Sequence, residues 1–373
     1  MSEGPTSPLA APPASLPSDE NILREILLRL PPLPSSLPRA SLVCKLWCRI
    51  ISDPDFRRRF CTHHKTPPLL GFFFENFNER LHVFTPTLAA PDGIPPARFS
   101  CRREGLSFLG CRHGLALLKG GSKAVVWDPI TNRRCSIDFS PEFVINCNVR
   151  IYHGAVLRDP NSTAFKLVMI FYAVFEQTLC ASVFESESGK WGEIISTVAF
   201  SDCFKPSVLV GNTLYWLVRH GSGGFLQFDM DRQTLAVIQI SEDIPLTDAC
   251  HVQALRTQDG GFGFAVVSKQ RIQLWGRTAI SGNVVRGVLQ KTVELDQLLP
   301  LRPSMEMQGT SIVGYDEESN TIFIWTSIGV FMIQLESMKF TKVYEDNCIR
   351  GYFPFTSFYT AGNCSSSLFT LQN

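Results

Sequence analysis

Near its start, the chain contains two stretches in which apolar positions recur with the period of an α-helix. In LPSDENILREILLRLP, residues 16–31, the apolar residues fall on one helical face and two prolines end the stretch. Ser18 is the predicted helix cap, with Asp19 and Glu20 in an acidic first turn. In RASLVCKLWCRIIS, apolar pairs recur every four residues, and Asp53 and Pro54 end it because the residue before proline is disfavoured in a helix. We therefore expect a helical module that ends near Phe60.

From about residue 69 onward, the pattern is that of β-strands. Short runs rich in Val, Ile, Phe, Tyr and Trp alternate with Gly, Pro, Asn and Asp, which favour tight turns. HGLALLKGGSKAVVWDP predicts one hairpin, and TLYWLVRHGSGGFLQFDMDRQTLAVIQI predicts two in succession. The predicted fold class is mainly β with a small α-helical N-terminal module.

One unit recurs in the β-rich region: an apolar strand, a polar turn and another strand. It is present in VVWDPITNRRCSI, SVFESESGKWGEI, LQFDMDRQTLAVI and MIQLESMKFTKVY. With Asp128, Ser186, Asp229 and Glu336 as equivalent turn positions, the steps are 58, 43 and 107 residues. A degenerate copy near Gly276 lies within the longest step. A period near 50 with about four strands per unit is typical of a β-propeller, and about six blades fit. A pair of β-sandwiches is the weaker alternative, because the unit spans the whole region.

These patterns divide the chain into five segments. We predict a disordered leader at residues 1–14, a helical module at 15–60, a linker at 61–68, a β-propeller at 69–361 and a tail at 362–373. The leader has neither the basic segment nor the apolar segment of a secretory signal.

Composition and charge narrow the classes of function. The 373 residues carry a formal net charge of +1, which gives no electrostatic reason to expect nucleic acid or an anionic membrane as a partner. The apolar run Leu69–Phe74 is far shorter than the roughly 20 residues that span a bilayer. The 12 cysteines include no C-x-x-C pair. Reduced thiols, and hence a cytoplasmic or nuclear location, are therefore expected.

No catalytic motif stands out in the sequence, which has no G-x-S-x-G, no P-loop and no H-E-x-x-H. Cys61–His64 could supply metal ligands, but no second ligand pair lies at zinc spacing, so a linker is the preferred interpretation. Cys44 and Cys48 are predicted to pack as small apolar residues. The sequence therefore offers no candidate catalytic residues and predicts no metal and no cofactor.

The helical module has more large apolar side chains than two short helices can cover. Covering each of them stabilises by about 1.5–3 kcal/mol, and a segment of about 45 residues is rarely stable alone. The surplus can pack on the β-domain, as a structural cap, or bind a helical partner supplied in trans. The apolar pattern alone leaves both interpretations open.

Residues 16–56 resemble an F-box. The matching positions, in order, are Leu16-Pro17, Ile22, Glu25-Ile26-Leu27, Arg29-Leu30-Pro31, Leu37, Arg39-Ala40, Val43-Cys44-Lys45, Trp47, Ile51-Ser52-Asp53-Pro54 and Phe56. The region after them resembles the F-box-associated, kelch-like β-propeller of plant F-box proteins. VVWDPITNRR, VFESESGKW, GNTLYWL and YFPFTSFY carry that second resemblance.

The resemblance implies a non-catalytic, substrate-recognition subunit of an SCF-type cullin–RING ubiquitin ligase. The F-box would bind a Skp-type adaptor and through it a cullin, and the propeller would bind an unknown target protein for ubiquitin-dependent degradation. The residues expected to bind the adaptor or to pack inside the F-box are Leu16, Pro17, Ile22, Ile26, Leu27, Leu30, Pro31, Val43, Trp47 and Ile50. The alternative is a β-propeller that binds a ligand or hydrolyses a substrate and uses the helices only as a cap.

Overall fold

The protein is described by a computed structural model, in which two compact units are distinguished. The first contains the N-terminal helices up to Lys65, and the second runs from Thr66 to Phe358. The described residues are 19–76, 79–140, 149–158, 164–173, 176–198, 205–218, 223–241, 244, 251–268, 271–281, 284–300, 310–345 and 351–359.

The first unit is helical throughout its described part. Its helices are α1 (Glu20–Leu28), α2 (Ser36–Ser41), α3 (Lys45–Ser52) and α4 (Pro54–His64). Helix α1 contacts α3 and α4, and α2 contacts α3. The predicted first helix is confirmed, whereas the second periodic stretch is divided between α2 and α3 by a turn.

Helix α4 was missed by the sequence-based prediction, which ended the helical part near Phe60. Pro54 occupies the first helical position, where a backbone N–H would have no intrahelical partner in any case. The Asp53 side chain accepts a hydrogen bond from the N–H of Asp55 at 3.0 Å and caps the helix. The same Asp-Pro pair therefore ends α3 and begins α4. Cys61–His64 form the last turn of α4 and are not part of a linker.

The second unit is a β-propeller whose described strands form six blades. Blade 1 contains β1 (Leu69–Asn76), β2 (Leu81–Pro86), β3 (Cys101–Arg102) and β25 (Phe353–Thr356); blade 2 contains β4 (Ser107–Arg112), β5 (Leu115–Lys119), β6 (Lys123–Asp128) and β7 (Arg133–Asp138); blade 3 contains β8 (Val149–Arg158), β9 (Phe165–Ala173), β10 (Thr178–Glu185), β11 (Lys190–Trp191) and β12 (Ile195–Val198). Blade 4 contains β13 (Val208–Val210), β14 (Thr213–Val218), β15 (Gly224–Asp229) and β16 (Thr234–Ile240); blade 5 contains β17 (Val252–Arg256), β18 (Phe262–Ser268), β19 (Arg271–Ser281) and β20 (Val284–Glu294); blade 6 contains β21 (Ser311–Asp316), β22 (Thr321–Thr326), β23 (Gly329–Gln334) and β24 (Phe340–Tyr344). Two short helices, α5 (Pro96–Phe99) and α6 (Leu295–Leu298), lie between strands. The predicted fold class and blade number are confirmed.

The recurring sequence unit corresponds to the third and fourth strands of a blade. Asp128 and Asp229 end third strands, and Ser186 and Glu336 lie just after third strands. The two Asp side chains accept hydrogen bonds from the backbone N–H groups two and three residues later, at 2.9 to 3.2 Å. The degenerate copy near Gly276 is the β19–β20 hairpin. The recurrence is therefore a repeated turn, held by an Asp side chain in two of its copies.

Blade 1 closes the ring, because its strands come from both ends of the propeller sequence. Strand β25 pairs antiparallel with β1 and takes the edge position that the first strand has in the other blades.

Gly71 makes the close pairing of β1 and β2 possible. A Cβ atom there would lie 2.3 Å from the carbonyl oxygen of Thr85 and 2.4 Å from the ring of Phe84.

The apolar run LLGFFF is explained by the burial of both faces of β1. Successive side chains of a strand point to opposite faces, so neighbouring phenylalanines enter different blade interfaces. Phe73 packs against Phe108 and Trp127 of blade 2, with ring centroids 5.0 and 5.5 Å apart. Phe72 packs against Phe323 of blade 6, at 5.6 Å. Stacked blades thus bury surfaces that a single blade would expose.

Candidate functional site

Helix α1 has an exposed apolar stripe. Ile22 and Ile26 lie four residues apart, on one face of the helix, and are 51% and 42% exposed. Leu23 and Leu27, each one position further along, are buried. The helix cap is Asp19 and not the predicted Ser18, because the Asp19 side chain accepts a hydrogen bond from the N–H of Asn21 at 2.8 Å. The two isoleucines therefore lie on a regular helix but outside the apolar core of the helical module.

A second exposed apolar group lies at the turn between α2 and α3. Leu42 is 84% exposed and Val43 is 51% exposed. Leu42 was not among the predicted adaptor-binding residues, although it belongs to the same periodic stretch as Val43, which was. The helix break that exposes it could not be recognised from that pattern. We call Ile22, Ile26, Leu42 and Val43 the exposed apolar set.

The structure separates the predicted site residues into exposed and buried groups. Ile22, Ile26, Pro31 and Val43 are exposed, Leu30 and Trp47 are half-buried, and Leu27 and Ile50 are buried. Leu16 and Pro17 lie outside the described residues. Buried side chains stabilise the module, so the exposed ones are the candidates for contact with a partner. The adaptor-binding role of each residue stays a prediction.

Charged side chains connect α1, α3 and α4. Arg24 donates hydrogen bonds to Asp53 at 2.8 Å and to Glu20 at 3.0 Å. Glu20 also accepts a hydrogen bond from Arg49 of α3, at 2.8 Å. The hydrogen bond from Arg24, together with that from the Asp55 N–H, lowers the pKa of Asp53 below its ordinary value. Asp53 also caps α4. Arg24 therefore connects the first turn of α1, the helix that carries Ile22 and Ile26, to the first turn of α4.

The described cysteines have free thiols, and two of them correct a prediction. Cys44 and Cys48 are exposed, so they do not pack as small apolar residues. Within the part of the chain that the structure describes, no group of three or more His, Cys, Asp or Glu side chains could hold a metal ion. The described helices also include none with the length and apolar character needed to cross a membrane.

In the propeller, charged side chains converge where the first strands of several blades meet. Arg112, at the end of β4, donates to Glu317 at 2.5 Å and to the carbonyl oxygen of Ser207 at 2.7 Å. Glu317 also accepts from the N–H of Leu209 at 2.8 Å. Arg256, at the end of β17, donates to the carbonyl oxygen of Leu209 at 2.9 Å. The network joins blades 2, 4, 5 and 6.

The acidic groups of this network are engaged in holding the blades together. Burial would raise the pKa of Glu317, but the charge and hydrogen bonds of Arg112 keep it below its ordinary value. Burial raises the pKa of the neighbouring Asp316 to about 6, although Ser319 donates two hydrogen bonds to it. Both carboxylate oxygens of Glu317 accept hydrogen bonds from the protein itself. The Arg112–Glu317 pair therefore forms a contact between blades, and its carboxylate is not a free general acid or base.

Two family models match the chain in the order expected from its helices and strands. A model described as the F-box domain matches residues 14–59, which include α1, α2 and α3. A model described as "F-box protein AT5G49610-like, beta-propeller" matches residues 107–360, more than half of the chain. The chain belongs to this family of F-box proteins. The resemblance inferred from the sequence motifs is confirmed.

Curated relatives agree with this assignment. F-box protein At1g53790 of Arabidopsis thaliana is 23% identical over 345 residues, which are 87% of this chain and 75% of the relative. F-box protein At5g03970 of the same plant is 22% identical over 365 residues, or 88% of this chain and 86% of the relative.

Similarity to solved structures is more distant. A protein of unknown function from Bacteroides caccae has a TM-score of 0.45 and 9% identity, and the match covers 76% of this chain and 98% of that one. The Dos1 propeller has a TM-score of 0.40 and 10% identity, with 74% and 68% covered. The assignment of the fold therefore rests on the strand pairing and on the family match.

Proposed function

We infer that this protein is a substrate receptor of an SCF-type ubiquitin ligase. Its F-box binds a Skp-type adaptor, and through it a cullin, while the propeller binds a target protein. The observation that carries the proposal is the exposed apolar set on a module that matches the F-box domain. An F-box whose apolar residues are presented on ordered helices has the chemistry for a helical protein partner.

The receptor contributes proximity and no bond chemistry. A target held by the propeller has a raised effective concentration near the ubiquitin-charged enzyme that the ligase brings to it. The engaged Arg112–Glu317 pair supports a non-catalytic propeller, because its carboxylate is occupied by protein donors. The free thiols are compatible with a cytoplasmic or nuclear location, as a ligase subunit requires.

Adaptor capture by the full chain tests this proposal. In the double variant Ile22→Gln and Ile26→Gln, both side chains keep good helix propensity and lose apolar surface. Each is about half-exposed already, so together they leave about 1.5–3 kcal/mol to be gained on binding, or roughly 10- to 150-fold in affinity. We expect a loss of that size in titrations with a purified Skp-type adaptor.

The matched control is Ile194→Gln, the same change at an isoleucine of the propeller that is 39% exposed. It is expected to leave adaptor affinity unchanged. Circular dichroism must show equal helix content in all proteins. If the full chain does not capture the adaptor, or if the control loses as much affinity as the double variant, the proposal is wrong.

A further inference from the structure

A polar cleft lies between blades 4 and 5 of the propeller. It has a volume of about 290 Å³. Its floor contains the stacked rings of Tyr215 and Phe262, with centroids 4.1 Å apart. Thr257, Asp259 and Gln290 contribute a hydroxyl, a carboxylate and an amide to the walls. An aromatic floor with convergent polar groups has the general form of a recognition site.

Arg277 is the cationic residue among those that line the cleft. Its guanidinium group interacts with the hydroxyl of Tyr215. Among the described residues, no carboxylate forms an ion pair with it at 4.0 Å or less. The carboxylate of Asp259, the acidic group of the cleft, accepts hydrogen bonds from the Thr257 hydroxyl and the Gly261 N–H of its own turn. The guanidinium therefore faces the cleft without a carboxylate partner.

The strands beside the cleft have an excess of positive charge. Strands β19 and β20 together carry four basic residues and one acidic residue. That acidic residue, Glu294, is bound by Arg271 at 2.7 Å. With Asp259 of the cleft wall included, basic residues still outnumber acidic ones by four to two, so charge complementarity favours an anionic partner on this side of blade 5.

An exposed apolar side chain adjoins the cleft. Leu289 is 42% exposed and pairs with Trp275, two positions before Arg277, so it lies on the same face of the sheet as Arg277, and Gln290, the next residue, lines the cleft. A peptide chain that places an acidic side chain at Arg277 can therefore cover apolar surface at the same time. Apolar contact combined with an ion contact at the exposed Arg277 gives both affinity and orientation.

We propose that the cleft between blades 4 and 5 binds an acidic peptide segment, with a Glu or Asp side chain paired to Arg277 and a neighbouring apolar side chain on Leu289. A carboxylate matches a single guanidinium, which binds it through two parallel hydrogen bonds. Phosphorylated residues are recognised by clusters of arginines, and this cleft has one arginine and a carboxylate in its wall. The identification of this peptide as part of the ubiquitination target rests on the proposed function.

Selection from a phage-displayed library of random peptides tests the proposal on the full chain. The variants are Arg277→Gln and, as the matched control, Arg271→Gln, which removes an exposed arginine from the same strand. Peptides selected by the unmodified protein and by the control are expected to be enriched in Glu or Asp beside apolar residues. The Arg277→Gln variant is expected to lose that enrichment.

A selected peptide then gives the size of the effect by fluorescence anisotropy. Replacing its acidic residue by Gln or Asn, or Arg277 by Gln, is expected to weaken binding about two- to fivefold, as for an exposed ion pair, and the two losses are expected not to add. The proposal is overturned if the selected peptides are not acidic or if both arginine variants select the same pool. It is also overturned if phosphoserine in place of the acidic residue binds tenfold tighter, or if single-stranded DNA binds with the same dependence on Arg277.

Adaptor capture by the same proteins separates this inference from the proposed function. Arg277 lies in the propeller, so its variant is expected to bind the adaptor as the unmodified protein does. Adaptor capture without acidic-peptide binding contradicts the cleft proposal alone. Acidic-peptide binding without adaptor capture contradicts the receptor function and leaves the cleft in place.

Discussion

The helical module and the propeller differ in how completely they bury their large apolar side chains. In the propeller, rings such as Phe72 and Phe73 are fully buried between neighbouring blades. In the module, Leu27 is fully buried while Ile26, its neighbour in sequence, is 42% exposed. A ring of blades covers both faces of each sheet, whereas a few short helices can cover only one side of each other. The difference indicates that the propeller is complete within one chain and that the module has surface left for a partner.

The largest loss of unfolding free energy is expected when a buried aromatic ring of the propeller is removed. Phe73→Ala removes a fully buried side chain between blades 1 and 2 and is expected to cost about 3–5 kcal/mol of unfolding free energy. Phe340→Ala is the matched control, because Phe340 is 42% exposed on the edge strand β24. Urea unfolding followed by tryptophan fluorescence measures both. Equal losses would show that the blade interface is not packed as described.

An intermediate effect is expected inside the module, where two adjacent residues can be compared. Leu27→Ala is expected to cost about 2–5 kcal/mol, because it leaves a cavity among the helices. Ile26→Ala is expected to leave helix stability nearly unchanged, since alanine has the higher helix propensity. It is expected instead to weaken adaptor capture. Circular dichroism during heating measures the loss of helix content in the two variants. If Ile26→Ala melted at a lower temperature than Leu27→Ala, the face of α1 that carries Ile26 would be the buried one.

The smallest effect per residue is expected from acidification, which separates the propeller from the module through buried histidines. Burial lowers the pKa of His82, His113 and His153 to about 4. The unfolded chain takes up these protons near pH 6.5 and the folded chain only near pH 4. Stability is therefore fully present above pH 6.5 and is lost as the pH falls toward 4. Asp316, with its pKa raised to about 6, acts in the opposite direction and reduces the loss.

The variant His82→Phe measures one of these contributions. His82 is fully buried, with its ring 4.7 Å from that of Phe108, so an apolar ring fits the same surroundings. At pH 5 the protonation cost of one such histidine is on the order of 2 kcal/mol. We expect the variant to have a flatter dependence of the urea midpoint on pH between 6.5 and 5. An unchanged slope would mean that His82 is protonated in the folded protein.

Much of the fold could be predicted from local patterns. The turn at Asp128 and Asp229 depends on a side chain that bonds to its own backbone, so its signal is present in a few consecutive letters. The hairpins and the blade period follow for the same reason. Helix α4 was missed because Pro54 was interpreted only as an end of a helix, although proline also begins helices.

The candidate site was less predictable. The apolar period in α1 identified Ile22, Ile26 and Leu27 together, because all three lie close to one stripe. Which of them is covered depends on the directions of α3 and α4, and no local pattern contains that information. Leu42 was overlooked because its exposure results from a break between two helices within one continuous periodic stretch.

By itself, the sequence determined most of the strands and the first helix, the F-box and the propeller class, because the signals for them lie in residues that are close along the chain. Only the tertiary structure decided which apolar residues stay exposed and which charges meet. Arg112 and Glu317 are 205 positions apart, and they form a pair only because closure of the ring brings the ends of β4 and β21 together. Arg277 faces its cleft without a paired carboxylate for the same physical reason, since the arrangement of blades 4 and 5 fixes its surroundings.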